Sequence, residues 1–269
     1  MVPRVEEVKL PSTMPPPGDL RFPWIQAKWS FRKPGHWVID ESGRGHHALL
    51  PASGFTNDFF GLRWDGTQRL TVPDSDDFAP TGPFTLSLRL TLDEGRLTQP
   101  ATLISRGDPN GSFAWALQLI PAGAARKVRF SISDADGKVA SVEGLLLDGK
   151  SDQLSMYASF DPKTGALWIH KDCVTLGKVF TEVRPAKRLP ADSKVQLIAG
   201  FRGVADELEL QRGLMAPTGS RDTAATRASG SAKTDADAGQ GGRWLMGIST
   251  DWFALSPTLS RSGRGRHWC

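Results

Sequence analysis

Two short runs of carboxylates could do chemistry in this chain. In Asp206-Glu207-Leu208-Glu209, extended backbone would put Glu207 and Glu209 on one face of a strand and Asp206 on the other. Two carboxylates flanking a sugar ring supply an acid and a nucleophile for glycoside hydrolysis. A structural strand near the edge of a domain is the simpler account of these charges. Pro73-Asp-Ser-Asp-Asp77 offers three more carboxylates without the twelve-residue pattern of a calcium loop, and reads as a solvated turn. The five histidines (His36, His46, His47, His170, His267) lack the spacing of a zinc site on a helix. Neither cysteine has a CxxC partner, and no G-x-S-x-G elbow marks a nucleophilic serine. Arg106-Gly-Asp108 is a tripeptide that serves adhesion in other proteins, but so short a match recurs by chance.

The tryptophans are the unusual part of the composition, nine against one tyrosine. An indole can stack on the apolar face of a sugar or anchor a protein interface. Trp29, Trp64 and Trp115 are expected in the core. Trp168 differs: within Ala166–His170 it shares its phase with His170, opposite Leu167 and Ile169. If Leu167 and Ile169 face inward, Trp168 and His170 face out as an aromatic platform with a polar neighbour. These two are the candidate ligand contacts. Arg89 and Gln118 point outward on neighbouring candidate strands and are expected to line the same face.

The elements that must position these side chains are strands. In Phe84–Leu92 the residues Phe84, Leu86, Leu88, Leu90 and Leu92 alternate with Thr85, Ser87, Arg89 and Thr91, the period of a strand with one buried face. The same alternation recurs in Phe113–Leu119, Val128–Ser133 and Leu154–Phe160. Asp161-Pro-Lys-Thr-Gly165 is a hairpin loop returning into Ala166–His170, and Asp136-Gly137 is a turn into Val139–Val142. Val195–Ala199 and Val204–Leu210 close the series. No stretch keeps a 3.6-residue period over twelve residues. The fold class is therefore all-β, a two-sheet antiparallel sandwich over residues 25–216.

Glycine (28) and proline (19) make up about 17 % of the chain, which suits turns between strands. No apolar run is long enough to span a bilayer as a helix. The net charge of +4 is uneven: residues 217–269 hold seven basic and four acidic groups, and the rest of the chain holds 26 and 25. The body is nearly neutral and has no dense basic stripe, which disfavours nucleic-acid binding. Residues 1–24 read as an extended N-terminal linker without the apolar core of a signal peptide, and Pro11–Gly18 is proline-rich. Thr218–Gly242 has no large apolar residue and reads as disordered. The apolar cluster beyond it, from Trp244 to Leu255, is compatible with a docking segment or with an out-of-frame extension.

Five phrases give the body a resemblance. Trp29-Ser-Phe with Asp40-Glu-Ser-Gly-Arg-Gly-His46, Leu62-Arg-Trp-Asp-Gly66 with Leu70-Thr-Val-Pro-Asp74, Pro83-Phe-Thr-Leu-Ser-Leu88, Leu103-Ile-Ser-Arg-Gly-Asp108 and Gly203-Val-Ala-Asp-Glu-Leu-Glu-Leu210 occur in order. Together they resemble the LamG-like jelly-roll domains of the concanavalin A-like lectin/glucanase superfamily. Two positions depart from the pattern: Asp152-Gln153 stand where the family often has Trp-His, and Asp172-Cys173 where it often has Asp-Gly. The resemblance implies a jelly roll and a recognition function, but the superfamily also holds glycosidases, lyases and interaction domains. Its laminarinase-like members use E-x-D-x-E, and here Leu208 replaces the central acid, so no enzyme is expected. In related jelly rolls a structural calcium ties the opening loop to the closing strand, which makes Asp40 and Asp206 the implied ligands for Ca2+. The expected function is a carbohydrate-binding, lectin-like module of a larger extracellular protein. A protein-interaction or adhesion module is the alternative. The expected partner is a glycan or an extracellular protein, and the extracellular location comes from the resemblance alone.

Overall fold

The computed structural model describes residues 15–215, apart from residues 21, 33–34, 94–96, 147–151 and 173. The expectations for residues 1–14, for the 217–269 tail and for Cys173 lie outside the described residues.

The alternating segments form the strands expected of them. The described strands are β1 (Ile25–Ser30), β2 (Trp37–Val38), β3 (Ala48–Leu49), β4 (Phe55–Asp58), β5 (Gly61–Asp65) and β6 (Leu70–Pro73). They continue with β7 (Phe84–Leu92), β8 (Ala101–Gly107), β9 (Phe113–Ala122), β10 (Ala125–Ser133) and β11 (Val139–Leu146). The series ends with β12 (Asp152–Asp161), β13 (Ala166–Lys171), β14 (Val174–Phe180), β15 (Lys194–Ala199) and β16 (Arg202–Arg212). One 3-10 turn, Asp76–Phe78, follows β6.

Two antiparallel sheets make a jelly-roll sandwich. The first has eight strands in the order β14-β13-β12-β7-β16-β5-β4, with β1 also paired to β16. The second has six, β11-β10-β9-β8-β15-β6, and β2 and β3 form a small ribbon. The chain changes sheet between β6 and β7 and again between β7 and β8. β7 therefore lies in the sheet opposite the one that holds β6 and β8, while β8 to β11 and β12 to β14 pair in sequence order.

The apolar phase of each strand fills the space between the sheets. Leu86, Leu88, Leu90 and Leu92 of β7 are buried, as are Leu117 and Leu119 of β9 and Phe130 and Ile132 of β10. Phe84 meets Phe160 of its own sheet and Trp115 and Phe130 of the other, with ring centroids 6.0–6.2 Å apart. Trp29, Trp64 and Trp115 are fully buried, as expected. The Trp29 indole donates to the His46 carbonyl at 2.6 Å and that of Trp115 to the Phe78 carbonyl at 3.0 Å. These two rings thus keep their polar edges satisfied inside the core.

Residues 16–20 and 22–24 lie along the loop that follows β2. The Arg44 guanidinium donates to the carbonyls of Pro23 and Ile25, and a ring nitrogen of His47 meets the Pro16 carbonyl at 3.2 Å. The glycines of Asp40–His46 permit this approach. Gly43 has φ +86°, and a Cβ there would sit 2.4 Å from the Asp19 carbonyl oxygen. The turn after β13 solves the missing glycine differently: Asp172 itself takes the left-handed conformation, at φ 53°. Among the described residues no helix is long and apolar enough to cross a membrane.

Candidate functional site

The outer face of the eight-stranded sheet gathers most of the chemistry. Register lines these side chains up in rows across the strands. One row runs Lys178 (β14), Trp168 (β13), Ser159 (β12) and Thr85 (β7). The next runs Thr175, His170, Tyr157, Ser87, Glu209 and Lys28. A third holds Ser155, Arg89, Glu207 and Ser30.

Trp168 is half-buried on this face, and its ring carries the Lys178 ammonium 5.6 Å from its centroid. His170 has the same phase but is only 6 % exposed, so it supports the platform rather than extending it. The His170 Nδ1 meets the Thr175 hydroxyl at 3.0 Å. Burial, and then the nearby Lys178 charge, hold its imidazole below the ordinary histidine pKa, which keeps it neutral. Tyr157, half-buried beside His170, is a residue the sequence reasoning missed. Its signal was present: it is the chain's single tyrosine, and it sits in the polar phase between Met156 and Ala158.

Beside the platform, the chain leaving β16 crosses the face. The Thr85 hydroxyl donates to the Gly213 carbonyl at 2.9 Å and accepts from the Met215 amide at 3.1 Å. Thr85 and Ser159 are fully covered there, so residues 213–215 bound the platform on one side.

Arg89 lies on the same face, two strands from Trp168 and further along, and donates to Glu207 at 3.0 Å. Gln118 does not join them. β9 belongs to the six-stranded sheet, so Gln118 points from the opposite side of the sandwich, where its amide reaches the Thr102 hydroxyl at 3.4 Å. Period-two alternation shows which side chains point outward but not from which sheet.

Glu207 and Glu209 do share a face, as the spacing predicts, and Lys28 stands 3.4 Å from each. Burial pushes the Glu209 carboxyl above its ordinary pKa even with Lys28 at hand. Burial of the Lys28 ammonium works against its charge, but the two carboxylates outweigh it and the lysine pKa is raised. Both glutamates are thus held by cations rather than left open toward solvent.

The expected calcium ligands do not fit that ion. The Asp40 carboxylate accepts four hydrogen bonds, from the amides of Lys28, Ser42 and His46 and from the Ser42 hydroxyl, at 2.8–3.0 Å. Four donors fill the lone pairs of a carboxylate. Asp206 sits at a bulge in β16, and both its oxygens face the Arg32 guanidinium at 2.5 and 2.7 Å. A dication there would have to displace a bidentate arginine. Among the described residues no group of three His, Cys, Asp or Glu side chains is placed to hold a metal. The melting temperature is accordingly expected to be the same in EDTA as in millimolar calcium. A rise of several degrees with calcium in differential scanning calorimetry would overturn this.

The second acidic loop is not a solvated turn. Asp74 pairs with Arg106, and Asp77 accepts from Arg44 at 3.0 Å and meets His46 at 2.9 Å. Two surface clefts also occur. One, of about 580 Å³, is lined by Arg69, Asp108, Asp192, Lys194 and Gln196 and has no aromatic wall. The other, about 270 Å³ beside β4 and β5, has Phe55 and Trp64, but Trp64 is fully buried and cannot stack on a ligand.

No family model matches the chain, and no curated protein does. Solved structures do match. A Trypanosoma rangeli sialidase in complex with sialic acid aligns with a TM-score of 0.51 at 15 % identity, over 73 % of this chain and 32 % of that one. The botulinum neurotoxin serotype C1 binding domain aligns with a TM-score of 0.51 at 11 % identity, over 70 % and 50 %. The CBM40 of the Ruminococcus gnavus IT-sialidase aligns more loosely, with a TM-score of 0.41 at 12 % identity, over 50 % and 78 %. The chain thus spans about a third of the sialidase and half of the toxin domain. At such identities the likeness to the sialidase and the toxin domain is one of fold, an antiparallel β-sandwich.

Proposed function

We propose that this chain is a non-catalytic carbohydrate-recognition module. Its contact surface is the β12–β14 end of the outer face of the eight-stranded sheet. The observation that carries the reading is Trp168: it is half-buried on a sheet face, outside the core, with a tyrosine one row away. A flat indole with the Tyr157 phenol and the Thr175 hydroxyl one row away matches a sugar ring, which is apolar on its faces and polar at its rim. The five LamG-like phrases support the same reading, and so does the sandwich fold. The sialidase and the toxin binding domain that share the fold lend it weight without deciding the ligand. The ion pairing of Glu207 and Glu209 favours binding over hydrolysis, since a general acid must be free to reach a leaving oxygen. An extracellular parent protein is part of the same proposal and rests on the motif resemblance.

The test is a glycan array followed by titration of any hit. Trp168→Ala is expected to weaken binding by about tenfold to a hundredfold, the range for removing one buried aromatic anchor. The melting temperature should barely move, because the ring lies outside the core. Absence of any glycan binding by the intact chain at high concentration would sink the proposal, and saturable binding of a protein ligand instead would favour the interaction-module alternative.

A further inference from the structure

We infer that the saccharide recognised at Trp168 is anionic, its carboxylate or sulfate group taken by the ammonium of Lys178. This rests on the carbohydrate reading above and specifies its ligand class. The charges of the sheet face are unequally matched. Lys28 has Glu207 and Glu209, and Arg89 has Glu207. Lys178 has no carboxylate within ion-pair distance among the described residues. Its ammonium lies instead against two rings, 5.6 Å from the centroid of Trp168 and 5.2 Å from that of Phe180.

Position makes this cation a ligand group. Lys178 is exposed on β14, directly across from Trp168, so a sugar laid on the indole brings its substituents to the ammonium. The aromatic rings hold the ammonium at the platform without neutralising its charge. Burial and the Lys178 charge hold the His170 imidazole below its ordinary pKa, which disfavours a second cation on the platform. The carboxylates of the face are both engaged on the far side, with Lys28 and Arg89. A neutral sugar would leave the ammonium with no partner beyond solvent, whereas an acidic one gains a charge-assisted contact at the edge of its stacking surface.

The experiment pairs polymers that differ only in charge. Polygalacturonate is compared with its full methyl ester, and dextran sulfate with dextran, by calorimetric titration of the full chain at low and high salt. The charged member of at least one pair is expected to bind about tenfold tighter, the worth of one charge-assisted hydrogen bond. The preference should shrink as salt rises. Lys178→Gln should erase the preference, and Trp168→Ala should weaken binding of the charged and the neutral polymer alike. Which pair shows the effect separates carboxylate from sulfate. Equal affinity for charged and neutral polymers, or a preference that survives Lys178→Gln, overturns the inference while leaving the carbohydrate reading in place. Failure of all four polymers and of the glycan array overturns both.

Discussion

Replacing Arg106 with leucine is expected to cost about 3–5 kcal/mol of folding stability, the range for stripping one partner from a buried ion pair. The side chain is only 4 % exposed. Its guanidinium makes a two-pronged contact with Asp74, both bonds at 2.8 Å, and donates to the carbonyls of Ala186 and Lys187 at 3.0 and 3.1 Å. It therefore ties β8 to the end of β6 and to the segment before β15. Leucine would fill the space but leave a carboxylate and two carbonyls without donors, and each buried polar group left unpaired is expensive. For a domain of this size the thermal midpoint should fall by roughly 10 °C. Arg106→Lys keeps the charge but not the planar fork, and should fall between the two. Asp108→Ala should leave the midpoint unchanged, since that residue is exposed. Urea denaturation of the three variants measures this, and a loss below about 1 kcal/mol for Arg106→Leu would contradict it. The same geometry removes the Arg-Gly-Asp tripeptide as an adhesion motif, because its arginine is inside the protein.

Lys28→Met is expected to cost about 2 kcal/mol at neutral pH, between the values for an exposed and a fully buried pair. The ammonium stands between Glu207 and Glu209, so its loss leaves two half-buried carboxylates facing each other. The pH dependence follows from the sign of the glutamate shift. Burial raises the Glu209 pKa above the ordinary 4.5, so the folded state holds that proton more firmly than the unfolded one. Stability then falls as pH rises from 4.5 through the folded-state value, and is regained on acidification. Without Lys28 that raised value should climb further, and the variant should recover more stability between neutral pH and about 4.5 than the parent does. Lys28 itself contributes stability that is present below its ordinary pKa of 10.5 and lost as pH passes its raised folded value. Adding Glu209→Gln to Lys28→Met should restore at least half the loss at neutral pH, because Glu209 is the carboxylate left without its cation while Glu207 keeps Arg89. Denaturation curves of both variants across pH 4–8 provide the check. A double variant no more stable than Lys28→Met would show that the lysine acts through its stem packing, not its charge.

Much of the fold was written in local alternation. Phe84–Leu92 is a strand with the very bounds its period predicts, and Ala166–Lys171 presents Trp168 outward because Leu167 and Ile169 belong to the core. β14 was not legible in that way. Gly177 interrupts its alternation, and the strand forms because it pairs with β13 and because Gly177, lacking a Cβ, fits against the Glu143 backbone of β11. Lys178 could not be seen as a neighbour of Trp168 until that pairing was known.

The outward phase of a side chain depends on the residues two positions either side of it, so sequence suffices to place Trp168, Arg89, Tyr157 and Gln118 outside the core. The company each keeps depends on which strands pair, and that is settled by contacts between distant segments. Gln118 went to the opposite sheet because β9 pairs with β8 and β10. Asp206, read as a calcium ligand, was claimed by Arg32 from 174 residues away. A charged group finds its partner through the whole fold, whereas burial of an apolar one is decided by alternation along its own strand.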